Sequence, residues 1–348
     1  MPDTSPFRRP AIAARAARFA ARAALLGAAM RAATRAELVL AFAAVYVLWG
    51  STYLGIRVGV ETIPPFLLAG MRHVTAGLLL YGWLRLRGTA APERRYWRPA
   101  AIVGTLMLLG GNGLVTWAEK RVPSGIAALI VASVPIWMTV LDALHRRERP
   151  HGVVLLGLAV GLGGIAFLVA PGHFAGGGHV DSLGAAALLT AALLWSIGSL
   201  YARRAKLPSS TLLATAMEMI AGGVALLVTS TLTREWKGFS LSAVSGRSVL
   251  ALVYLIVAGS LLGFTAYVFL LKATTPARVS TYAYVNPIVA VLLGWVALGE
   301  ALTPRILIAA AVIVAAVALI IRHGAQRRAA PPADEARPEP LRVGTGRR

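Results

Sequence analysis

The side chains able to do chemistry are few, and they sit inside long apolar runs. Trp49, Ser51 and Tyr53 fall together in VLWGSTYLGIR. Trp195 and Ser199 fall in LLWSIGSLYARR, and Asn112 and Trp117 share another run. Tyr282 and Asn286 stand four apart, on one face of a helix. Trp and Tyr bury apolar area while keeping a hydrogen bond to offer, and their rings can hold an ammonium group. Such a set suits recognition of a small organic solute rather than bond-making. The competing use is structural: aromatic residues anchor membrane interfaces, and Asn or Ser bonds helix to helix.

Arg72, His73 and Glu218 are the notable ionisable residues within apolar runs. A lone charge at mid-bilayer costs at least about 2.5–3.5 kcal/mol, so each needs a partner, water or a nearby interface. Mutual pairing of Arg72 with Glu218, a proton-linked role, and positions near helix ends are all open readings. His73 reads as a packed residue, although imidazole chemistry would also suit a relay. Glu119 and Lys272, at run ends, read as snorkelling anchors. Val134-Pro135 and Asn286-Pro287 remove backbone hydrogen bonds inside runs, making Pro135 and Pro287 candidate hinges or tolerated kinks.

Several chemistries lack their residues. There is no cysteine, so thiolate metal sites and cysteine nucleophiles are excluded. HRRERPH, from His145, lacks the HExxH spacing, and no Walker loop is present. Gly157-x-x-x-Gly161 and Gly163-Gly164 lie in an apolar run with no preceding strand, so close helix packing explains them better than a dinucleotide loop. No cofactor, metal or enzymatic activity is expected.

The runs that position these residues are the dominant feature. Of the 348 residues, 57% are hydrophobic and 14% charged, against roughly a quarter charged in soluble proteins. Spans long enough to cross a bilayer are expected at 38–57, 65–84, 99–118, 123–142, 152–170, 182–201, 210–231, 248–271, 279–298 and 304–321. In lipid they must be helices, because their period is not that of a barrel strand. The net charge of +21 does not mark a nucleic-acid face, because Lys and Arg sit in tails and short loops. With the N-terminus inside, the tails and the loops after spans two, four, six and eight hold 27 of the 35. The opposite loops hold seven, and Arg72 lies within a span. Both termini are therefore expected in the cytoplasm, with loop 171–180 outside. Residues 1–36 form a basic extension that reads as an unstructured arm, a helix on the anionic inner leaflet or a transit-peptide mimic. The tail 322–348, rich in Pro, Arg, Ala and Glu, is expected to be disordered.

The sequence repeats itself at a shift of about 146–153 residues. Trp49 then matches Trp195, Arg72 matches Glu218, Pro135 matches Pro287 and Glu148 matches Glu300. Each half holds five spans, so the second enters from the opposite side, and a pseudo-two-fold axis relates the halves in the membrane plane. Halves so related can rock about a central site, which points to a transporter.

LWGSTYLGIRVGVE from Leu48, PPFLLAGMRHVTAG from Pro64, GNGLVTWAEKRVPSGIAALIVASVP from Gly111, SLYARR from Ser199 and TYAYVNPIVAVLLG from Thr281 carry a family resemblance. Across residues 38–321 the chain resembles the EamA family of the drug/metabolite transporter superfamily, most nearly its YedA-like inner-membrane branch. That resemblance implies an all-α integral membrane fold, ten transmembrane helices in two inverted repeats around a central cavity, and export of amino acids, related metabolites or drugs. The repeats are expected at 37–171 and 181–321. The expected partners are a small-molecule substrate, the lipid bilayer and, compatibly, protons; nucleic acid is not one, and oligomeric state is left open. A single mid-depth cation, Arg72, disfavours phosphorylated sugars. A channel, a sensory protein and a membrane-embedded enzyme remain the rival classes.

Overall fold

The computed structural model describes residues 34–147, 151–170, 180–274 and 276–329, without the side chains of 146, 271–272, 276–277 and 323–329. The extension before Thr34, Glu148, most of loop 171–180, the side chain of Lys272 and the tail from 330 lie outside the described residues, with the expectations that fall on them. By its contacts the chain divides into residues 1–40 and 41–348. In the first unit a helix starts at Arg35 with a reciprocal cap: Thr34 N–H donates to Glu37 Oε2 (2.7 Å), and Glu37 N–H donates to Thr34 Oγ1 (3.2 Å).

Among the described residues the regular structure is helical throughout, with no strand. Eight helices among the described residues are long and apolar enough to cross a membrane: Arg35–Gly59, Arg94–Ala118, Ser124–His145, Gly152–Val169, Ser182–Ala202, Thr211–Leu232, Gly246–Leu270 and Pro304–Arg322. Tyr282–Leu298 is apolar but shorter, at 17 residues. Pro65–Leu86 has 22 residues and carries Arg72 and His73 in its body, which keeps it out of the apolar set.

Three helices are interrupted at places the sequence explains. The first breaks at Ser51, whose hydroxyl binds the Val47 carbonyl and the Tyr254 hydroxyl rather than leaving the turn open. The fourth breaks at Ala132–Ser133, and Pro135 then occupies the first turn of Val134–Arg146, where its missing N–H costs nothing. A short helix, Pro276–Val279, precedes Tyr282–Leu298, in which Pro287 is interior. Two further segments, Thr105–Gly113 and Leu255–Leu262, are π-helical, and their starts are 150 residues apart, within the repeat shift. Such wide turns recur at functional sites.

Packing follows a pattern that survives exchange of the two halves. Pro65–Leu86 lies along Thr211–Leu232, Gly152–Val169 along Pro304–Ala329, and Ser124–Val131 along Tyr282–Leu298. Thr52–Gly59 packs on Gly246–Tyr254, and its counterpart pairing is Ser182–Ala202 on Thr105–Gly113. Glycine permits the closest crossings. A Cβ on Gly104 would meet the Glu218 carbonyl oxygen at 2.4 Å and the Gly222 nitrogen at 2.8 Å. Gly157, Gly161 and Gly164 lie against Ile320, Ile136 and Ile313, as the small-residue reading expects, whereas Gly163 faces open space.

One end of the bundle is tied by side chains that cap helix termini. Glu235 accepts from Phe66 N–H (3.2 Å) and Leu67 N–H (3.0 Å), and Glu300 accepts from Ser124 N–H (2.7 Å), Ser124 Oγ (2.8 Å) and Gly125 N–H (3.0 Å). Both helices begin after a proline and leave N–H groups free, and a carboxylate complements their dipoles. Gly294 makes room for Glu300, since a Cβ there would fall 2.4 Å from Oε2. Arg305 closes the end of Gly152–Val169 by donating to the carbonyls of Phe167 and Ala170. Arg57 donates to the Glu119 carbonyl.

Replacing Glu300 by Gln weakens charge-assisted capping and is expected to lower stability by about 1–2 kcal/mol. Thermal unfolding in detergent checks this, with exposed Glu61→Gln unchanged as the control.

Candidate functional site

A cavity of about 670 Å³ lies between the two sequence halves. Each interrupted helix contributes to its wall. Trp49 and Tyr53 flank the Ser51 break, Pro135 follows the Ala132–Ser133 break, and Tyr282, Asn286 and Pro287 follow the short helix that ends at Val279. The π-helical Thr105–Gly113 supplies Gly111 and Asn112, and Ser182–Ala202 supplies Trp195. Breaks and the Thr105–Gly113 wide turn thus bring non-ideal backbone to the cavity. At one extreme the cavity reaches Arg203, which is exposed, so it opens at the end of Ser182–Ala202. The capped end lies opposite.

Aromatic rings form one side. Trp49 sits edge-on to Phe264 (5.3 Å) and Tyr282 (5.1 Å), and tilted against Tyr267 (5.1 Å). Its indole N–H donates to the Gly259 carbonyl at 3.2 Å. Gly263 gives the indole its space, because a Cβ there would fall 2.4 Å from Nε1. Trp195 packs on Gly111, where a Cβ would come within 2.8 Å of Cε3. Each repeat-matched tryptophan therefore depends on a glycine in the facing π-helical region or beside it.

The polar groups are sparse and under-satisfied. Arg72 is 4% exposed, lines the cavity, and donates from Nε to Ser260 Oγ at 3.0 Å. Its guanidinium pairs with no carboxylate among the described residues, where the ion pair present is Arg95–Glu93. The Oδ1 atoms of Asn112 and Asn286 are buried without a hydrogen-bond partner, and both residues line the cavity. Buried polar atoms are almost always paired in a finished structure, so unpaired ones on wall residues are candidate ligand contacts once the amide turns toward the cavity. Among the described residues no cluster of His, Asp or Glu could hold a metal ion.

Of the nine candidate contact residues, Trp49, Tyr53, Asn112, Trp195, Tyr282 and Asn286 line the cavity. Ser51, Trp117 and Ser199 do not. Ser51 stabilises its own helix break, and Ser199 Oγ donates to the Trp195 carbonyl (2.7 Å). The Trp117 ring is covered by the Arg121 guanidinium at 4.3 Å. His73, 1% exposed, binds the Ala69 carbonyl through Nδ1 (2.8 Å) and is turned away from the cavity. Glu218 is also off the cavity and makes no ion pair with Arg72, so of the open readings for their matched positions mutual pairing is not seen. The repeat match aligned their sequence positions but not the directions of their side chains. Phe264 and Thr52 are wall residues that the sequence pattern did not single out. Glu119, expected to snorkel, is instead fully buried.

Comparison with known proteins decides the family. The EamA-like transporter family matches residues 36–170 and, a second time, 182–322. The chain belongs to the EamA-like transporter family. The inner membrane transporter YedA of Escherichia coli (strain K12), itself uncharacterized, is 42% identical over 80% of this chain and 88% of that protein. A protein of Streptantibioticus cattleyicolor named "Probable terminal-alkyne amino-acid exporter" is 27% identical over 81% of this chain and 92% of that one. A solved crystal structure superposes with a TM-score of 0.57 at 23% identity, covering 85% of this chain and 99% of the other, which is a likeness of fold. With its apolar helices, this EamA member is a multi-pass membrane transporter.

Gly263→Ala is expected to push the Trp49 indole off the Gly259 carbonyl and to cost about 1–3 kcal/mol through overpacking. Tryptophan emission should shift in this variant, and the shift should vanish in a Trp49→Phe background.

Proposed function

We propose that this EamA member is a secondary carrier of the cytoplasmic membrane that exports small zwitterionic metabolites, amino acids and related compounds, by alternating access. The observation carrying this reading is the polar complement of the wall residues: one buried guanidinium, Arg72, without a carboxylate partner among the described residues, and two amide oxygens without donors, beside an aromatic wall. A carboxylate fits Arg72. An ammonium fits the Oδ1 atoms of Asn112 and Asn286 and the faces of Trp49 and Trp195. The aliphatic remainder fits against Phe264 and Val115. Cationic drugs would use the aromatic wall and leave Arg72 unanswered, which makes them the poorer cargo.

The carrier is read as ten spans in two inverted repeats, 37–171 and 181–321. The eight apolar helices are joined by Pro65–Leu86 and Tyr282–Leu298. The double family match, the paired π-helical segments and the exchange-invariant packing support that reading. The Lys and Arg distribution sets both termini inside. The cavity mouth at Arg203 then faces the cytoplasm, and the capped end is the closed outer gate. Ala132–Ser133 and Pro287, at cavity level, are the places where the halves can bend.

The test is counterflow in proteoliposomes preloaded with unlabelled amino acids, their decarboxylated amines, polyamines and cationic drugs. Saturable counterflow of amino acids is expected, lost in Trp49→Ala/Trp195→Ala. Arg72→Gln is expected to raise the half-saturating concentration for amino acids at least about tenfold, roughly 1.4 kcal/mol or more, and to leave the amines nearly unaffected. Non-saturable flux would mark a channel, and equal losses for acids and amines would remove Arg72 from carboxylate recognition.

A further inference from the structure

Glu119 is not among the cavity's lining residues, yet it is a carboxylate buried without a partner at either oxygen. It follows Leu114–Ala118 and is 0% exposed. Neither Oε1 nor Oε2 has a hydrogen-bond partner. Its backbone is fully engaged: the N–H donates to the Val115 carbonyl at 3.0 Å, and the carbonyl accepts from Arg57. Only the carboxyl group is left over.

The groups that face it come from three elements. Tyr53 and Arg57 belong to Thr52–Gly59, Arg72 to Pro65–Leu86, and Glu300 to the turn before Pro304, and each lies within electrostatic reach. Thr105–Gly113, packed beside it, carries no titratable residue, and Ser182–Ala202 carries only Tyr201, at its far end. His73, on the same helix as Arg72, is turned to its own Ala69 carbonyl. Lys120 and Arg121, next in the chain, are exposed, and Arg121 is stacked on Trp117.

Two of these neighbours, Tyr53 and Arg72, line the cavity. Another, Glu300, ties the capped end together. Glu119 therefore stands between the cargo site and the gate. At full burial and with no protein donor, an ionised carboxylate is far costlier than a neutral acid.

We propose that Glu119 is the proton-binding site of the carrier, and that closing the capped end requires its carboxyl group to be protonated. This rests on the alternating-access reading above. When the capped end opens, water reaches Glu119 from outside and one carboxylate oxygen takes a proton, forming an O–H bond. Closure buries the neutral acid. With cargo bound, the proton leaves to water in the inward-open cavity, on the side of Tyr53 and Arg72, and the buried carboxylate left behind is costly enough to bias the capped end to open. One proton moves inward for each outward passage of cargo, with no other reactant.

The first measurement needs no cargo. Infrared difference spectra of purified wild-type protein should show the carbonyl stretch of a protonated, unbonded carboxylic acid at neutral pH. It should fade as pH rises and be absent from Glu119→Gln. In proteoliposomes loaded with a radiolabelled amino-acid mixture, an inward proton gradient should accelerate wild-type efflux several-fold. Glu119→Gln should keep exchange and lose the response to the gradient, and Glu119→Asp should recover part of it. A band that survives in Glu119→Gln, or a gradient response equal to wild type, overturns the proposal. Absence of exchange in both proteins would reject the carrier reading, while the infrared band would still decide whether Glu119 holds the proton.

Discussion

In hydrocarbon, a backbone amide or carbonyl without a partner costs several kcal/mol, because no water is there to supply one. Every feature of this molecule answers to that constraint. Regular helix satisfies it automatically, which is why the apolar runs have no alternative structure. Each departure from regular helix has to be answered by a specific group. At Ser51 the answer is a hydroxyl bound to the Val47 carbonyl. At the start of Ser124–Val131 it is the Glu300 carboxylate, and at the end of Gly152–Val169 it is the Arg305 guanidinium. The interruptions at Ser51, Ala132–Ser133 and before Tyr282 adjoin the cavity wall, and the capped termini lie at a bundle end.

The same solvent removes the ordinary hydrophobic drive between helices, so association depends on close contact. Gly104 against Gly222 brings two backbones together. Elsewhere the glycine space is filled by an aromatic ring, as at Gly111 and Gly263. Small residues therefore do two jobs, tightening the bundle away from the cavity and seating the two matched tryptophans at its edge. A cavity of about 670 Å³ within a bundle held by contact alone is costly, and the caps at one end offset part of that cost. The ties are polar and reversible, unlike a packed hydrophobic core, which suits the opening of that end under the proposed alternating access.

Charge is distributed by the same logic. Arg95 and Glu93 pair in solvent, where such a bridge contributes little. The buried groups are treated differently. Arg72 has a hydroxyl but no carboxylate, Asn112 and Asn286 have unpaired oxygens, and Glu119 has no partner at either oxygen. A protein could remove all four by substitution to apolar residues at little loss of stability. The proposed function accounts for their presence, and they lie from the cavity toward the capped end.

Membrane insertion, the helical class and the doubled organisation were legible in the chain, because hydropathy, run length and a repeat of matched motifs are local properties that lipid turns directly into helices. Trp49, Tyr53, Asn112, Trp195, Tyr282 and Asn286 were legible for a related reason: polar or aromatic residues are costly against lipid and tend to face inward. Ser51, Trp117 and Ser199 satisfied the same rule and still fell outside the cavity, because a hydroxyl can bind its own helix and a ring can stack on a nearby cation. The separation of Arg72 from Glu218, the burial of Glu119, the π-helical turns and the Glu300 cap were decided only in three dimensions. Helix rotation, and contacts across more than a hundred residues, set which way each of those side chains points, and no periodicity within a single run encodes that direction.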